Sequence, residues 1–263
     1  MPNSFCKYLE RFQHPMPTLP QHSPHKWLAH TYEAKVQYSP KATTAPKLDK
    51  HGITRVRSIA GTFLYISVVV DPTMLVALHE IGAEKAFPAT NTFKKTQMIM
   101  DSSATQPDAI IRFHASDMCL HIDSDAAYLV QTNARSRAAG HYYLSDNPPP
   151  PHIRPTLASN GPILTKCQTI RTVMASAVEA KTGAIFLNSQ QSVPIRMAIV
   201  KMGHPQPPTL IKTNSATSYV ILAGNMRQKR SKDFDVRFHW MRCRIKQNQF
   251  RLYWQKGTEN LAD

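Results

Sequence analysis

Residues 118–130 read MCLHIDSDAAYLV, and their alternation decides the class of fold. Apolar and polar side chains take turns along the first half of the stretch, which is the two-residue period of a β-strand. The apolar positions are Met118, Leu120 and Ile122, and the polar positions are His121, Asp123 and Asp125. The pattern therefore predicts a central strand that carries two carboxylates on one face.

Strand and helix patterns surround this stretch in a definite order. Strand character occurs before it at 109–116, and after it at 137–146, 162–170, 208–213 and 249–254. Helical character occurs at 175–202 with an interruption at 192–194, and again at 215–225 and 232–247. Strands that come first, followed by alternating helix and strand, predict an α/β domain over residues 108–263.

The sequence before residue 108 has a different character. A small helical unit is predicted over 51–107, because apolar residues recur there every three or four positions and Asp71-Pro72 is a helix start. Residues 1–50 contain seven prolines and no sustained apolar period, so an extended N-terminal arm is expected. The most apolar segment, 59–70, is shorter than the roughly 20 residues that span a bilayer, and the first residues lack a signal-peptide pattern.

The charge balance points to an anionic partner. Lys and Arg total 32 against 17 Asp and Glu, which gives a formal net charge of +15. Either the protein is simply basic and soluble, or it binds a polyanion, of which nucleic acid is the commonest. The basic residues concentrate after position 196, where the alternatives are phosphate contact and a solvated charged face. The candidate nucleic-acid-binding residues are Arg227, Lys229, Arg230, Lys232 and Arg237.

Few common catalytic or metal-binding motifs fit the sequence. The four cysteines include no CxxC pair, which argues against a zinc site or a disulfide framework and favours a reducing compartment, the cytoplasm or nucleus. No phosphate-loop, esterase or zincin signature is present. Acids at the ends of different elements, Asp125, Glu179 and Asp263, could converge on magnesium, although most such acids are solvated charges near helix starts.

Several stretches together resemble the junction of reverse transcriptase and RNase H in the polyprotein of copia-type retrotransposons. The stretches are RFQHPMPTLPQHSPH, AKVQYSP, RSIAGTFLYI, HPQPPT, RQKRSKDFDVRFHWMR and YWQKGTENLAD. The resemblance covers nearly the whole chain. It implies that 51–107 is a remnant of the thumb and connection of a reverse transcriptase. It also implies that 108–263 is an RNase H-like domain, a mixed five-stranded sheet flanked by helices.

The resemblance further implies a set of site residues. In the family, four acids hold two magnesium ions, which activate a water to cut the RNA strand of an RNA–DNA hybrid. IDSDAAY matches the first motif at Asp125, SAVEAK the second at Glu179, and NLAD the last at Asp263. Two positions depart from the family, since Asn214 replaces the third acid and Lys181 stands where a second Glu is common.

These departures set the functional hypotheses. An amide at position 214 brings an oxygen but no charge, which predicts a loss in cleavage rate of roughly a hundredfold or more. The chain also stops at Asp263, where the family continues, and it lacks the paired aspartates of the polymerase, so no DNA synthesis is expected. The favoured hypothesis is a catalytically impaired protein that binds RNA–DNA hybrid, with other segments of the polyprotein as further partners. The alternatives are an active RNase H endonuclease and a non-functional or protein-interaction remnant.

Overall fold

The computed structural model of the chain describes residues 4–26, 40–41, 43–108, 110–150, 159–224 and 232–262. The chain divides into two compact units: the first comprises residues up to Ile111 except 37–40, and the second comprises 37–40 and the residues from Arg112 onward. We call the first the helical unit and the second, named for its β-structure, the sheet unit.

In the helical unit, four α-helices build one apolar core within the described ranges. They are α1 (Ser4–Arg11), α2 (Lys50–Val69), α3 (Leu75–Glu84) and α4 (Thr90–Thr105), with a 3-10 turn at Pro72–Met74. The apolar face predicted for α2 is buried, including Val56, Ile59 and Phe63. The predicted helix start is also confirmed, because the side chain of Asp71 accepts a hydrogen bond from the Thr73 backbone N–H at 3.1 Å.

The prediction of extended structure throughout residues 1–50 is wrong at its beginning. Residues Ser4–Arg11 form α1, and Leu9 and Phe12 lie buried in the same core as α2. A helix of eight residues has little stability of its own, so it depends on this tertiary packing, which the local sequence does not reveal. The following segment is held by a hydrogen bond of 2.7 Å between His14 Nε2 and Asp101 Oδ1. Residues 27–39 lie outside the described residues.

The sheet unit contains a mixed sheet, which the structure describes with five strands. The strands are β1 (Cys119–Gln131), β2 (Arg135–Ser145), β3 (Pro162–Ile170), β4 (Thr209–Thr213) and β5 (Phe250–Trp254). Their order across the sheet is β3-β2-β1-β4-β5; β1 to β3 are antiparallel, and β4 and β5 run parallel to β1. The flanking helices are α5 (Ala177–Lys201), α6 (Ala216–Ala223) and α7 (Lys232–Lys246). The predicted fold class is confirmed.

The strand predicted at 109–116 is not formed in its described part, residues 110–116. The first strand begins only at Cys119 and pairs with β2 across a tight connection. The side chain of Asn160 explains why His114 needs no strand partner. Asn160 Oδ1 accepts from the His114 N–H at 2.8 Å, and its Nδ2 donates to the His114 carbonyl at 2.9 Å. One side chain therefore makes both backbone bonds that a neighbouring strand would make.

The interruption predicted at 192–194 is also absent, because α5 runs through Pro194 without a break. A proline inside a helix removes the hydrogen bond to the carbonyl four residues earlier. Here that carbonyl belongs to Gln190, an exposed residue, so water can take the place of the missing donor. Within the described ranges, every helix of the protein is too short or too polar to cross a membrane.

A polar side chain inside the sheet unit makes Gly140 sensitive to substitution. Asn188 on α5 donates from Nδ2 to Ser124 Oγ and to the Ala139 carbonyl, both at 2.8 Å. Its Oδ1 accepts from the Tyr142 hydroxyl at 2.9 Å. A Cβ added at Gly140 would lie 2.5 Å from that same Oδ1. The glycine is therefore required by the close approach of Asn188.

We expect Gly140→Ala to lower the free energy of unfolding by about 2–4 kcal/mol, through overpacking and displaced hydrogen bonds. The measurement is urea-induced unfolding followed by circular dichroism. Gly61→Ala is the matched control, because nothing lies within 4 Å of its added Cβ and alanine favours a helix interior. A Gly140→Ala protein as stable as the control would contradict this account of the packing.

Candidate functional site

Asp125 and Asn214 both contact the side chain of Lys181. Asp125 lies on β1 and is only 7% exposed. Its Oδ1 is 3.0 Å from the Nζ of Lys181, which belongs to the second turn of α5. The same Nζ donates a hydrogen bond to Asn214 Oδ1 at 2.5 Å. The ammonium therefore lies between two of the predicted site residues, and sequence reasoning did not assign it a role.

The turn after β4 holds Asn214 in this position. Ser215 begins α6 by accepting a hydrogen bond from the Ser218 N–H at 3.1 Å. The hydroxyl of Ser218 lies 3.1 Å from that of Thr182 and 3.3 Å from the Val178 carbonyl, which joins α6 to the start of α5. On the other side, Trp254 of β5 donates from Nε1 to the Asn214 carbonyl at 3.1 Å. Three elements thus fix the position of the amide beside Lys181.

Glu179, the second predicted acid, serves the helix start in this structure. Ser176 is the N-cap of α5, and its Oγ accepts from the Glu179 N–H at 3.1 Å. The carboxylate of Glu179 reaches back and accepts from the Ala175 N–H at 2.7 Å. This reciprocal arrangement satisfies backbone donors that the helix leaves open. Glu179 is near Lys181 in sequence, but its described hydrogen bonds are with its own helix end.

A second charged pair, Asp123 and Lys212, lies beside the first on β1. Asp123 is fully buried, and its Oδ1 is 3.3 Å from Nζ of Lys212, its partner across the β1–β4 register. The ammonium of Lys212 also lies 5.1 Å from the centre of the Tyr143 ring. Leu261 donates its N–H to Asp123 Oδ2 at 3.2 Å. Burial raises the pKa of Asp123, and the charge of Lys212 opposes that rise.

Two histidines on the same part of the sheet stay neutral near pH 7. Burial lowers the pKa of His121 to about 4, and the nearby charges of Lys212 and Arg251 add to this effect. Burial also lowers the pKa of His141, the register partner of Asp123 on β2. The positive charge that neutralises Asp123 therefore comes from Lys212. A lysine inside the otherwise apolar stretch TLIKT is the sequence signal that could have identified it.

The segment after β5 returns to β1. Gln255 donates its N–H to the Thr213 carbonyl at 3.0 Å, and Asn260 Nδ2 donates to the Ser124 carbonyl at 3.2 Å. With the bond from Leu261 to Asp123, these contacts hold residues 255–262 against the middle of the sheet. Asp263, the predicted fourth acid, lies outside the described residues, so its role stays a prediction.

Most of the predicted nucleic-acid-binding residues also lie outside the described part of the chain. These are Arg227, Lys229 and Arg230, and the side chain of Lys232, whose backbone begins α7. Arg237 is described and partly buried. Its Nη2 donates to Thr172 Oγ1 at 2.8 Å, which ties α7 to the segment before α5. A guanidinium carries five N–H donors, so this bond leaves others for a phosphate.

The described residues do not fit a pair of magnesium ions. A magnesium site needs several free oxygen ligands, carboxylates above all. Here Oδ1 of Asp125 and Oδ1 of Asn214 both lie within 3.0 Å of the ammonium of Lys181, and the carboxylate of Glu179 accepts a backbone N–H. Among residues with described positions, no group of three or more His, Cys, Asp or Glu side chains could hold a metal ion. The ammonium of Lys181, a single positive charge, lies between two of the residues that were predicted to form the metal site.

Comparisons with known proteins give structural neighbours but no sequence family. No protein-family model matches the sequence, and no curated protein matches it at a significant level. The N-terminal RNase H domain of a Mycobacterium tuberculosis protein, solved as a fusion with maltose-binding protein, is 14% identical. That match covers 54% of this chain and 86% of the other, with a TM-score of 0.37.

Two further neighbours were solved with nucleic acid. LC11-RNase H1 in complex with an RNA/DNA hybrid is 10% identical over 54% of this chain and 88% of the other, with a TM-score of 0.38. A foamy viral protease–reverse transcriptase in complex with double-stranded DNA is 11% identical, with a TM-score of 0.48. That match covers 82% of this chain and 33% of the viral one, so the chain spans about a third of the viral protein.

Proposed function

We propose that this chain is an RNase H-like protein of copia-type retroelement origin that binds RNA–DNA hybrid and does not cut it efficiently. The observation that carries the proposal is the position of Lys181 between Asp125 and Asn214. A site that holds its own ammonium has lost both the charge and the open ligands that a two-metal hydrolysis requires. Binding and cleavage are therefore separated in this protein.

The charge of the chain supports the binding half of the proposal. A net charge of +15 attracts a polyanion over long distances, and phosphate contacts supply most of the affinity for nucleic acids. The basic cluster 227–232 and Arg237 are proposed to contact the phosphate backbone, with other segments of the retroelement polyprotein as further partners. The four free cysteines fit a reducing compartment, and the protein is proposed to act in the cytoplasm or nucleus.

Hybrid binding is expected to weaken steeply with salt and to depend on the basic cluster. Each lost phosphate contact reduces the slope of log affinity against log salt by about 0.9. We expect R227Q/K229Q/R230Q to bind a fluorescent RNA–DNA hybrid at least about tenfold more weakly at 50 mM salt, with a slope lower by about two to three. The measurement is fluorescence anisotropy between about 50 and 200 mM salt.

The matched control removes the same number of charges elsewhere. K50Q/K85Q/K94Q neutralises three exposed lysines of the helical unit and is expected to change the affinity by less than about threefold. Equal losses in both variants would mean that only the net charge matters. Efficient magnesium-dependent cutting by the wild type would instead identify an active endonuclease, and binding that ignores salt would exclude the phosphate contacts.

A further inference from the structure

Within the described part of the chain, the ammonium of Lys181 keeps hydrogen-bond donor capacity that a ligand could use. A lysine carries three N–H donors; one donates to Asn214 Oδ1, and Asp125 Oδ1 lies 3.0 Å from the same Nζ as an ion pair. Within the described part of the chain, these are the acceptors that it contacts. The Lys181 side chain is 24% exposed, whereas that of Asp125 is 9% exposed. The lysine is thus anchored on its protein side and open to solvent on the other.

An aromatic side chain contacts the same asparagine that this ammonium contacts. Trp254 donates its indole N–H to the carbonyl of Asn214, whose amide oxygen accepts from Lys181. Trp254 is nevertheless 40% exposed. A partly exposed indole and a cation that are held by one asparagine offer a base or sugar the face of a ring and a phosphate a positive charge, the two contacts on which binding of single-stranded nucleic acids relies.

We propose that Lys181 is a phosphate-binding residue, a built-in cation that replaces a divalent ion in holding the nucleic-acid backbone. The inference deepens the proposed function and rests on it. Asp125 and Asn214 hold the ammonium in place before the ligand arrives, so little side-chain entropy is lost on binding. Trp254 supports the adjoining nucleotide. It follows that hybrid binding needs no divalent cation.

The experiment must separate a phosphate contact from a change in local charge. Lys181→Met alone removes the ammonium 3.0 Å from Asp125 Oδ1 and keeps the carboxylate, which weakens the fold and repels phosphate at the same time. The double variant D125N/K181M removes both charges and keeps the net charge of wild type. We expect it to bind hybrid about tenfold more weakly than wild type at 50 mM salt, with a salt slope lower by about one.

Two controls complete the set. Lys201→Met removes an exposed lysine from the far end of the same helix and is expected to change the affinity by less than about twofold. Asp125→Asn alone keeps the ammonium and removes its counter-charge, and it is expected to bind hybrid more tightly than wild type. For the wild type, replacing Mg²⁺ by EDTA at equal ionic strength is expected to leave the affinity unchanged within about twofold.

The outcomes distinguish this inference from the function on which it rests. If D125N/K181M folds, as circular dichroism reports, and binds with the affinity and salt slope of wild type, Lys181 does not contact phosphate. A wild type whose affinity requires Mg²⁺ would likewise overturn the inference while leaving hybrid binding in place. If wild type binds no hybrid with or without Mg²⁺, the proposed function itself fails.

Discussion

Lys212→Met is expected to lower the free energy of unfolding by about 3–5 kcal/mol. Lys212 and Asp123 face each other on neighbouring parallel strands, with side chains 8% and 0% exposed. Removing the ammonium leaves a buried carboxylate with only one described N–H donor, that of Leu261. A buried carboxylate without its counter-charge lowers the free energy of unfolding far more than the loss of one surface ion pair does.

The double variant D123N/K212M tests this explanation. Replacing both charged groups by neutral groups of similar size removes the unpaired ion, and such replacements in other proteins are often neutral or stabilising. We expect urea unfolding at pH 7 to give the double variant a stability within about 1 kcal/mol of wild type. A Lys212→Met protein that lost less than about 1 kcal/mol would show that Asp123 is not held as an unpaired charge.

The same variant has an expected pH dependence. Burial raises the pKa of Asp123 above its unfolded value, so the native state binds that proton more tightly than the unfolded state does. The free energy of unfolding therefore falls as the pH rises through the pKa of Asp123 and the carboxylate ionises. Lys212→Met removes the charge that lowers the pKa, and the pKa of Asp123 rises further. The loss in free energy of unfolding relative to wild type should be largest near pH 7. It should become smaller as the pH falls, by about 1.4 kcal/mol for each unit by which the substitution raises the pKa of Asp123.

Local sequence patterns predicted most of the strands and helices of the sheet unit. The alternation in 118–130 and the predicted strand at 162–170 correspond to β1 and β3, because each strand is long enough for its own residues to show the pattern. The predictions failed where tertiary contacts decide. Helix α1 depends on packing against α4 in the shared apolar core, and His114 is held by the side chain of Asn160 instead of a strand.

Only part of the candidate site could be predicted from the sequence. The family resemblance identified Asp125 and Asn214, which the structure brings together, but it gave no partner for either. The partner, Lys181, is on a helix far from both in the chain, and its approach depends on how α5 packs beside β1 and β4. Sequence spacing describes neighbours on one element, whereas this site is formed between elements. A lysine in place of an expected acid was the available signal.

Asn214→Asp alone is expected to restore neither metal binding nor cleavage. The new carboxylate would pair with the ammonium of Lys181, which already lies 2.5 Å from the oxygen at that position. A divalent ion about 4 Å from this ammonium would be repelled by roughly 8 kcal/mol at an effective dielectric constant of about 20. The missing acid is therefore a smaller obstacle than the lysine.

Removing the ammonium as well should change this result. We expect K181A/N214D to bind Mn²⁺ at least about tenfold more tightly than Asn214→Asp does, because the carboxylates at 125 and 214 then no longer share the ammonium of Lys181. Mn²⁺ titration followed by electron paramagnetic resonance measures the binding, and a labelled hybrid measures cutting. K201A/N214D is the matched control, since it loses the same charge from the same helix. If Asn214→Asp alone cut hybrid in Mg²⁺, the ammonium of Lys181 would not be the obstacle, and the separation of binding from cleavage would rest on Asn214 instead.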